Sequence, residues 1–413
     1  MRNNYPDNTC QTHTLSNGLR LIFRPTASPV AYCGFAIDAG TRDEDEQQPG
    51  MAHFVEHLLF KGTQKRRAYH ILNRMENVGG ELNAYTNKEE TMVYAIFLRQ
   101  HLSRALELLT DIVFSSTFPE REVERETEVI VDEIRSYEDE PSELIFDEFE
   151  ARLFGTHPLG RNILGDEASL RKFTGNDAAT FVRKHYVTGN MALFVQADVD
   201  FREVVRLTER VVGPIPRGEA QNGRTAPNDF PVEDLTLHRD THQAHVMIGG
   251  RAYAADDRRR TALYLLNNIL GGPGMNSRLN VALREKRGLV YNVESNLTSY
   301  TDTGVFSIYF GCDQADVDRC LRYTFGELSR LRNNRLTTNR LSAAKKQLIG
   351  QIGVAADNHE NNVLGMAKAF LHYNRWETPA EVYLRIHALT ADDLLDVAGD
   401  MFDPQRLTML AYV

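Results

Sequence analysis

What this chain of 413 residues has little of narrows its class first. No stretch approaches the roughly 18 apolar residues that a membrane-crossing helix needs, so no membrane partner is expected. The opening MRNNYPDNTC lacks the apolar core of a secretory signal, and Arg-rich amphipathic transit character is missing too. A cytoplasmic location is the expectation. Cysteine is scarce: Cys10, Cys33, Cys312 and Cys320 form no CxxC pair and cannot staple a fold of this length. Reduced, mostly buried thiols follow, and with no nucleophile signature around any of them a cysteine hydrolase is unsupported. Basic excess is absent as well. Subtracting 57 acids from 47 bases gives −10, and phosphate binding needs a basic footprint, so nucleic acid is not expected as a partner. The basic clusters Lys65-Arg66-Arg67 and Arg258-Arg259-Arg260 read as solvated helix faces or loops.

What is there describes a globular chain: 42% hydrophobic and 25% charged residues, with 28 Gly and 14 Pro. Its length predicts about two or three domains. Strands are expected at Leu19–Phe23 and Tyr32–Ala36, then helices over Met51–Phe60 and Tyr69–Val78, the second stopped by Gly79-Gly80. A hairpin follows, Glu81–Thr86 and Met92–Leu98, joined by the polar Asn87-Lys88-Glu89-Glu90. Helices are expected over His101–Phe114, Glu120–Tyr137 and near Asp177–His185, before a strand at Met191–Ala197. The segment PIPRGEAQNGRTAPNDFP holds four prolines and no apolar periodicity, which marks a linker. Strand-like Leu235–Leu237 and Ala244–Ile248 open the second half.

A weak internal repeat points the same way. Met92–Phe97 has a counterpart in Gly304–Tyr309, and the same offset of about 212 lays His53–Gly62 near Leu265–Gly274. The expected fold is therefore α+β: two similar domains, each a mainly antiparallel sheet packed with helices. Their expected bounds are 1–213 and 233–413, with a linker at 214–232.

The sharpest motif is His53-Phe54-Val55-Glu56-His57. Four residues apart on a helix, His53 and His57 present two imidazoles to one ion, and Glu56 lies on that side, within reach of a bound water. The bland alternative, a helix whose polar residues face solvent, fits poorly with Phe54, Val55, Leu58, Leu59 and Phe60 around it. A third ligand is needed. In the stretch 120–137 most acids read as surface charge, but Glu126 and Glu133 share a face with Val129, Ile130, Ile134 and Tyr137. Carboxylates on an apolar stripe are costly unless paired or metal-bound. Glu133 as ligand, with Glu126 orienting a histidine, is one reading, and ordinary charge is the other. His238, His242 and His245 are flanked by strand-like runs and do not form a second site of this kind.

PGMAHFVEHLLFKGT, GGELNAYTNKEETMVY and ERETEVIVDEIRSYEDEP together resemble the pitrilysin, or M16, family of zinc peptidases, the inverzincins. The resemblance spans nearly the full chain, and the length is similar to that of two-domain members such as the mitochondrial processing peptidase β subunit and its bacterial homologues. It implies a zinc-dependent endopeptidase with one Zn2+ per chain on His53, His57 and Glu133, Glu56 as general base, and Glu126 as the accompanying glutamate. It implies that peptide lies along Asn83, Ala84 and Tyr85 as an added strand. In the second half, Arg284 and Tyr291 resemble the family's substrate-holding pair, supplied in trans within a dimer. Possession of both sets favours a homodimer. A non-catalytic structural member, or a catalytic subunit of a hetero-oligomeric processing peptidase, is the alternative the same resemblance leaves open.

Overall fold

The computed structural model describes residues 10–220, 223–228, 233–239 and 241–413. The first nine residues, read above for a targeting signal, and residues 221, 222 and 229–232 of the expected linker lie outside the described residues. Two compact units emerge. The first comprises residues up to 135, 161–224 and 358–378; the second comprises 136–160, 225–357 and 379–413.

Among its described residues the first unit holds six strands: β1 (Gln11–Thr14), β2 (Arg20–Pro25), β3 (Val30–Ile37), β4 (Glu81–Thr86), β5 (Thr91–Leu98) and β6 (Met191–Ala197). They are ordered β1-β2-β6-β3-β5-β4. Among the described residues, only β2 and β6 run parallel in this sheet, and β4 is the outer strand, paired with β5 alone. Side chains alternate across the sheet as a period of two requires. Cys33, Phe35, Val93, Ala95, Leu193 and Val195 pack on one face against the helices Met51–Leu59 and Leu102–Ser115. Their neighbours Ala36, Met92, Tyr94 and Phe194 pack on the other face, against the helix His359–Tyr373.

The second unit repeats this plan with β7 (Leu235–Leu237), β8 (Ala244–Ala252), β9 (Val290–Ser299), β10 (Gly304–Cys312) and β11 (Thr408–Tyr412). Their order is β7-β11-β8-β10-β9, again with one parallel pair, β11 with β7. One face of this sheet packs against the helices Arg260–Gly271 and Val317–Asn333. The helix Pro141–Phe154 covers the other, placing Ile145, Phe149 and Leu153 against Met247, Tyr309 and Leu410.

The two units thus exchange a helix relative to chain order. Pro141–Phe154 precedes the expected linker yet belongs to the second unit, and His359–Tyr373 follows it yet belongs to the first. Apolar spacing accounts for their burial: Val363, Met366, Ala367 and Phe370 form a stripe at helical period. The period does not encode which sheet the stripe meets.

Two charge readings change. Arg66, expected to be solvated, is partly buried and ion-paired to Asp111 at 2.6 Å and Glu107 at 2.5 Å. The polar turn between β4 and β5 is buried. Glu90 receives Lys368 at 2.6 Å and contacts His372 at 3.2 Å, while Glu89 pairs with Arg42 at 2.6 Å. No helix among the described residues is long and apolar enough to cross a membrane.

Candidate metal centre

The helix Met51–Leu59 buries Phe54, Val55 and Leu58 in the first unit's core, so the polar side of its H-x-x-E-H segment is fixed by packing. Gly50 starts it with φ +90°, where a Cβ would lie 2.7 Å from the Leu164 carbonyl oxygen, and glycine alone avoids both penalties. Glu44 caps the start: its carboxyl oxygens accept from the Gly50 N–H at 3.0 Å and the Ala52 N–H at 2.9 Å. These amides would otherwise be orphaned at the helix end.

His53, His57 and Glu133 are the group of His, Cys, Asp and Glu among the described residues arranged to hold a metal ion, with ligand atoms all within 4.8 Å of one another. Glu133 Oε2 lies 4.0 Å from His53 Nε2 and 3.7 Å from His57 Nε2. These gaps exceed hydrogen bonds but are close to the separation of about 3.3 Å between two donors that share one tetrahedral zinc ion at about 2 Å. Two imidazoles and one carboxylate are a donor set suited to zinc, with three protein ligands leaving a position open for water or substrate. The residues present fit the ion.

Glu126 sits behind His57. Its Oε2 lies 3.3 Å from His57 Nδ1, and its other oxygen accepts from Lys61 at 2.7 Å. Burial raises the affinity of Glu126 for a proton, but the bonds from His57 and Lys61 outweigh it and hold the carboxyl below its ordinary range. An ionised Glu126 takes the Nδ1 hydrogen of His57 and leaves the Nε2 lone pair facing Glu133. Burial, together with the neighbouring His57, pushes His53 down to about 3, so its ring is neutral and its lone pair free.

Glu56 is half-buried, with Oε2 fully buried and unpartnered. Burial raises its pKa, while the hydroxyl and N–H of Thr86 pull the other way. The stripe around Glu133 is less buried than its pattern suggests: Ile130 is in the core, whereas Val129 and Tyr137 are exposed.

Asn83, Ala84 and Tyr85 stand on β4, with Asn83 opposite Tyr94 and Tyr85 opposite Met92. Arg284 and Tyr291 belong to the second unit. Arg284 is exposed on the helical turn Asn280–Glu285 and borders a cavity of about 320 Å³ shared with Gly272, Gly274 and Asn292. Tyr291 is 84% exposed and occupies a bulge in β9, since Asn292 pairs with Gly311 and Val290 with Cys312. A bulge re-aims the side chain it carries.

Sequence reasoning missed Glu44, Lys61 and Thr86. For Glu44 the signal was an acid shortly before a glycine-started helix. Lys61 lies four residues after His57, one helical turn on. Thr86 gave no signal, because a threonine ending a strand is ordinary.

Residues 22–167 match the family described as Insulinase (Peptidase family M16), and residues 172–348 match the Peptidase M16 inactive domain. An uncharacterized zinc protease of Bacillus subtilis, YmxG, is 31% identical over 94% of this chain and 95% of its own length. An uncharacterized zinc protease of Streptomyces coelicolor is 34% identical over 95% of this chain and 87% of its own. Among solved structures, a protease from Helicobacter pylori superposes with a TM-score of 0.88 at 22% identity, covering 98% of this chain and 100% of that one. The M16 inactive domain from Pseudomonas fluorescens gives 0.90 at 22% identity, covering 98% of each. At that identity these two structures speak to the fold. The relatives at 31% and 34% identity speak to descent as well, and with them this chain belongs to the M16 family of zinc peptidases.

Proposed function

We propose that this protein is a zinc-dependent endopeptidase acting on short or unfolded peptides, with one zinc per chain held by His53, His57 and Glu133. The observation that carries the reading is the convergence of those three donors beside a buried, unpartnered carboxyl oxygen of Glu56. When bound in such a site, zinc lowers the pKa of a water to about 7 and polarises a carbonyl.

The chain's own residues do the rest. Glu56 takes the proton of the attacking water and later delivers it to the leaving amine. Glu126, through His57 Nδ1–H, fixes the imidazole tautomer. Among the described residues the outer edge of β4 pairs with no strand, so an extended peptide adds beside Asn83, Ala84 and Tyr85 by main-chain hydrogen bonds. This recognition is sparing of side chains. Arg284 and Tyr291 donate to the developing oxyanion, each chain of a homodimer supplying them to the other. No covalent enzyme intermediate is required, and the reaction runs in the cytoplasm.

The test is cleavage of a quenched fluorescent peptide library before chelation, after it, and after zinc is restored. Activity lost and regained supports the reading. Absence of both activity and zinc would instead favour a non-catalytic, structural role. The trans arrangement has its own check. Mixing inactive Glu56→Gln chains with inactive Arg284→Ala chains should restore activity at the rebuilt sites. No recovery in the mixture contradicts sharing between subunits.

A further inference from the structure

Glu126 orients His57, but a carboxyl group that steadies a ring must itself be held. The terminal torsion of a glutamate side chain is broad and roughly two-fold, so packing of the stem leaves its two oxygens free to turn. Among the described residues Glu126 has two partners, one for each oxygen. Oε2 lies 3.3 Å from His57 Nδ1, and Oε1 pairs with Lys61 Nζ at 2.7 Å. The first contact is just beyond the usual reach of an N–H···O bond. The second is closer and joins opposite charges, which makes it the stronger hold on the carboxyl plane.

Lys61 is anchored well enough to provide that hold. It follows the helix Met51–Leu59, and its N–H donates to the Leu58 carbonyl at 3.1 Å. Beyond it, Gly62 bridges to Arg67 and Thr63 to Ser116, and the Gln64 N–H donates to the Ser115 carbonyl at 2.9 Å. The backbone that carries the ammonium is thus tied down on both sides. The Glu126 side chain is 8% exposed, so the pair is less screened than a surface salt bridge. No other ion pair of Lys61 competes for it among the described residues.

A cation beside a metal site can act in two ways that differ in sign. As a bare charge it repels a dication, and its removal tightens binding. As a group that holds a ligand in place, its removal loosens binding. We infer that Lys61 is a positioning residue of the second kind: it pins Oε1 of Glu126 so that Oε2 stays on His57 Nδ1 and His57 Nε2 stays turned toward Glu133. The inference rests on the reading of His53, His57 and Glu133 as a zinc site. Groups that orient a metal ligand are worth about 10- to 100-fold in affinity, and Lys61, one contact further out, belongs at the lower end.

The experiment measures zinc affinity by competition with a chromogenic chelator, with the thermal midpoint before zinc addition recorded for each protein. The variants are Lys61→Met, which keeps the stem and loses the charge, Lys61→Arg, which keeps a cation, Glu126→Gln, and the double variant Lys61→Met with Glu126→Gln. Lys61→Met should bind zinc about 10-fold more weakly at an unchanged midpoint, and Lys61→Arg should recover most of that loss. The double variant should bind no more weakly than Glu126→Gln alone, because Lys61 acts through Glu126. Affinity equal to or tighter than wild type in Lys61→Met would overturn the inference. So would a further 10-fold loss when Lys61→Met is added to Glu126→Gln, whatever the midpoint, since that loss would not pass through Glu126. Failure of the underlying reading looks different: the wild type itself then takes up no zinc.

Discussion

The helix Met51–Leu59 on β4 and the helix Arg260–Gly271 on β9 hold the same place in two sheets whose last five strands follow one order, β2-β6-β3-β5-β4 and β7-β11-β8-β10-β9. Both bury their apolar residues, Phe54, Val55 and Leu58 in one and Leu263, Leu266 and Leu270 in the other. Their polar sides differ. The first offers His53, Glu56 and His57, whereas the second offers Asn267 and Asn268, of which Asn267 donates to the Ser295 carbonyl of β9 at 2.9 Å. The helices that follow differ the same way. Glu120–Glu138 supplies Glu126 and Glu133, while its counterpart Thr338–Ala355 carries no Asp, Glu, His or Cys at all. The fold therefore needs only the buried pattern, which both halves keep, and the metal donors are an addition that one half has and the other does not.

The comparison can be broken at its most demanding point. Glu56→Gln should cut kcat by about 10²- to 10⁴-fold, the usual span for a general acid–base, with zinc content unchanged. Substitution of its topological counterpart, Asn268→Asp, should leave kcat within twofold. Steady-state kinetics on both variants decides whether the general base lies in the first half alone.

Stability separates the halves next. The turn before β5 buries Glu90, whose burial alone would raise its pKa but which His372 and Lys368 hold at about 2. A pKa depressed on folding stabilises the native state above the unfolded value near 4.3, and that contribution fades as pH falls toward 2. Glu90→Gln should therefore cost about 3 kcal/mol at pH 7, the scale of a broken buried pair. The gap to wild type should shrink steadily in denaturant titrations taken from pH 5 down to pH 3. A gap independent of pH contradicts the assignment.

Removing the carboxylate behind the histidine should have a smaller effect. Glu126→Gln is expected to weaken zinc affinity by about 10- to 100-fold, read by competition with a chromogenic chelator, while the protein remains folded. Unchanged affinity would mean that His57 needs no help with its tautomer.

The helix starts give the finest contrast. Gly50 has φ +90°, whereas Arg259 begins the other helix at φ −73°. Gly50→Ala should lose about 1–3 kcal/mol to strain, visible as a lowered thermal midpoint. Arg259→Ala should lose its contacts with Asp257 and the Tyr253 ring without any backbone penalty. Equal losses would remove the conformational argument for Gly50.

Much of this was legible in the residues, for a physical reason. The strands Glu81–Thr86, Met191–Ala197 and Leu235–Leu237 were read to the residue, and the helix starting at Met51 to within one, because alternation and punctuation by glycine act locally. The motif His53–His57 stood out by its spacing, whereas its distant glutamates, Glu126 and Glu133, were left open by the stripe and marked only by the resemblance to the family. What stayed hidden depends on where distant segments meet. The helices Pro141–Phe154 and His359–Tyr373 looked buried, but nothing local says against which sheet. Lys88, Glu89 and Glu90 read as a polar turn because a partner such as Lys368 lies 278 positions away.

The most direct measurement is zinc per chain in the wild type and in Glu133→Gln, by elemental analysis after identical dialysis against a weak chelator. The account predicts one zinc per wild-type chain and a clear loss in Glu133→Gln. Equal retention in both, or no zinc in either, would contradict a metal centre built from His53, His57 and Glu133.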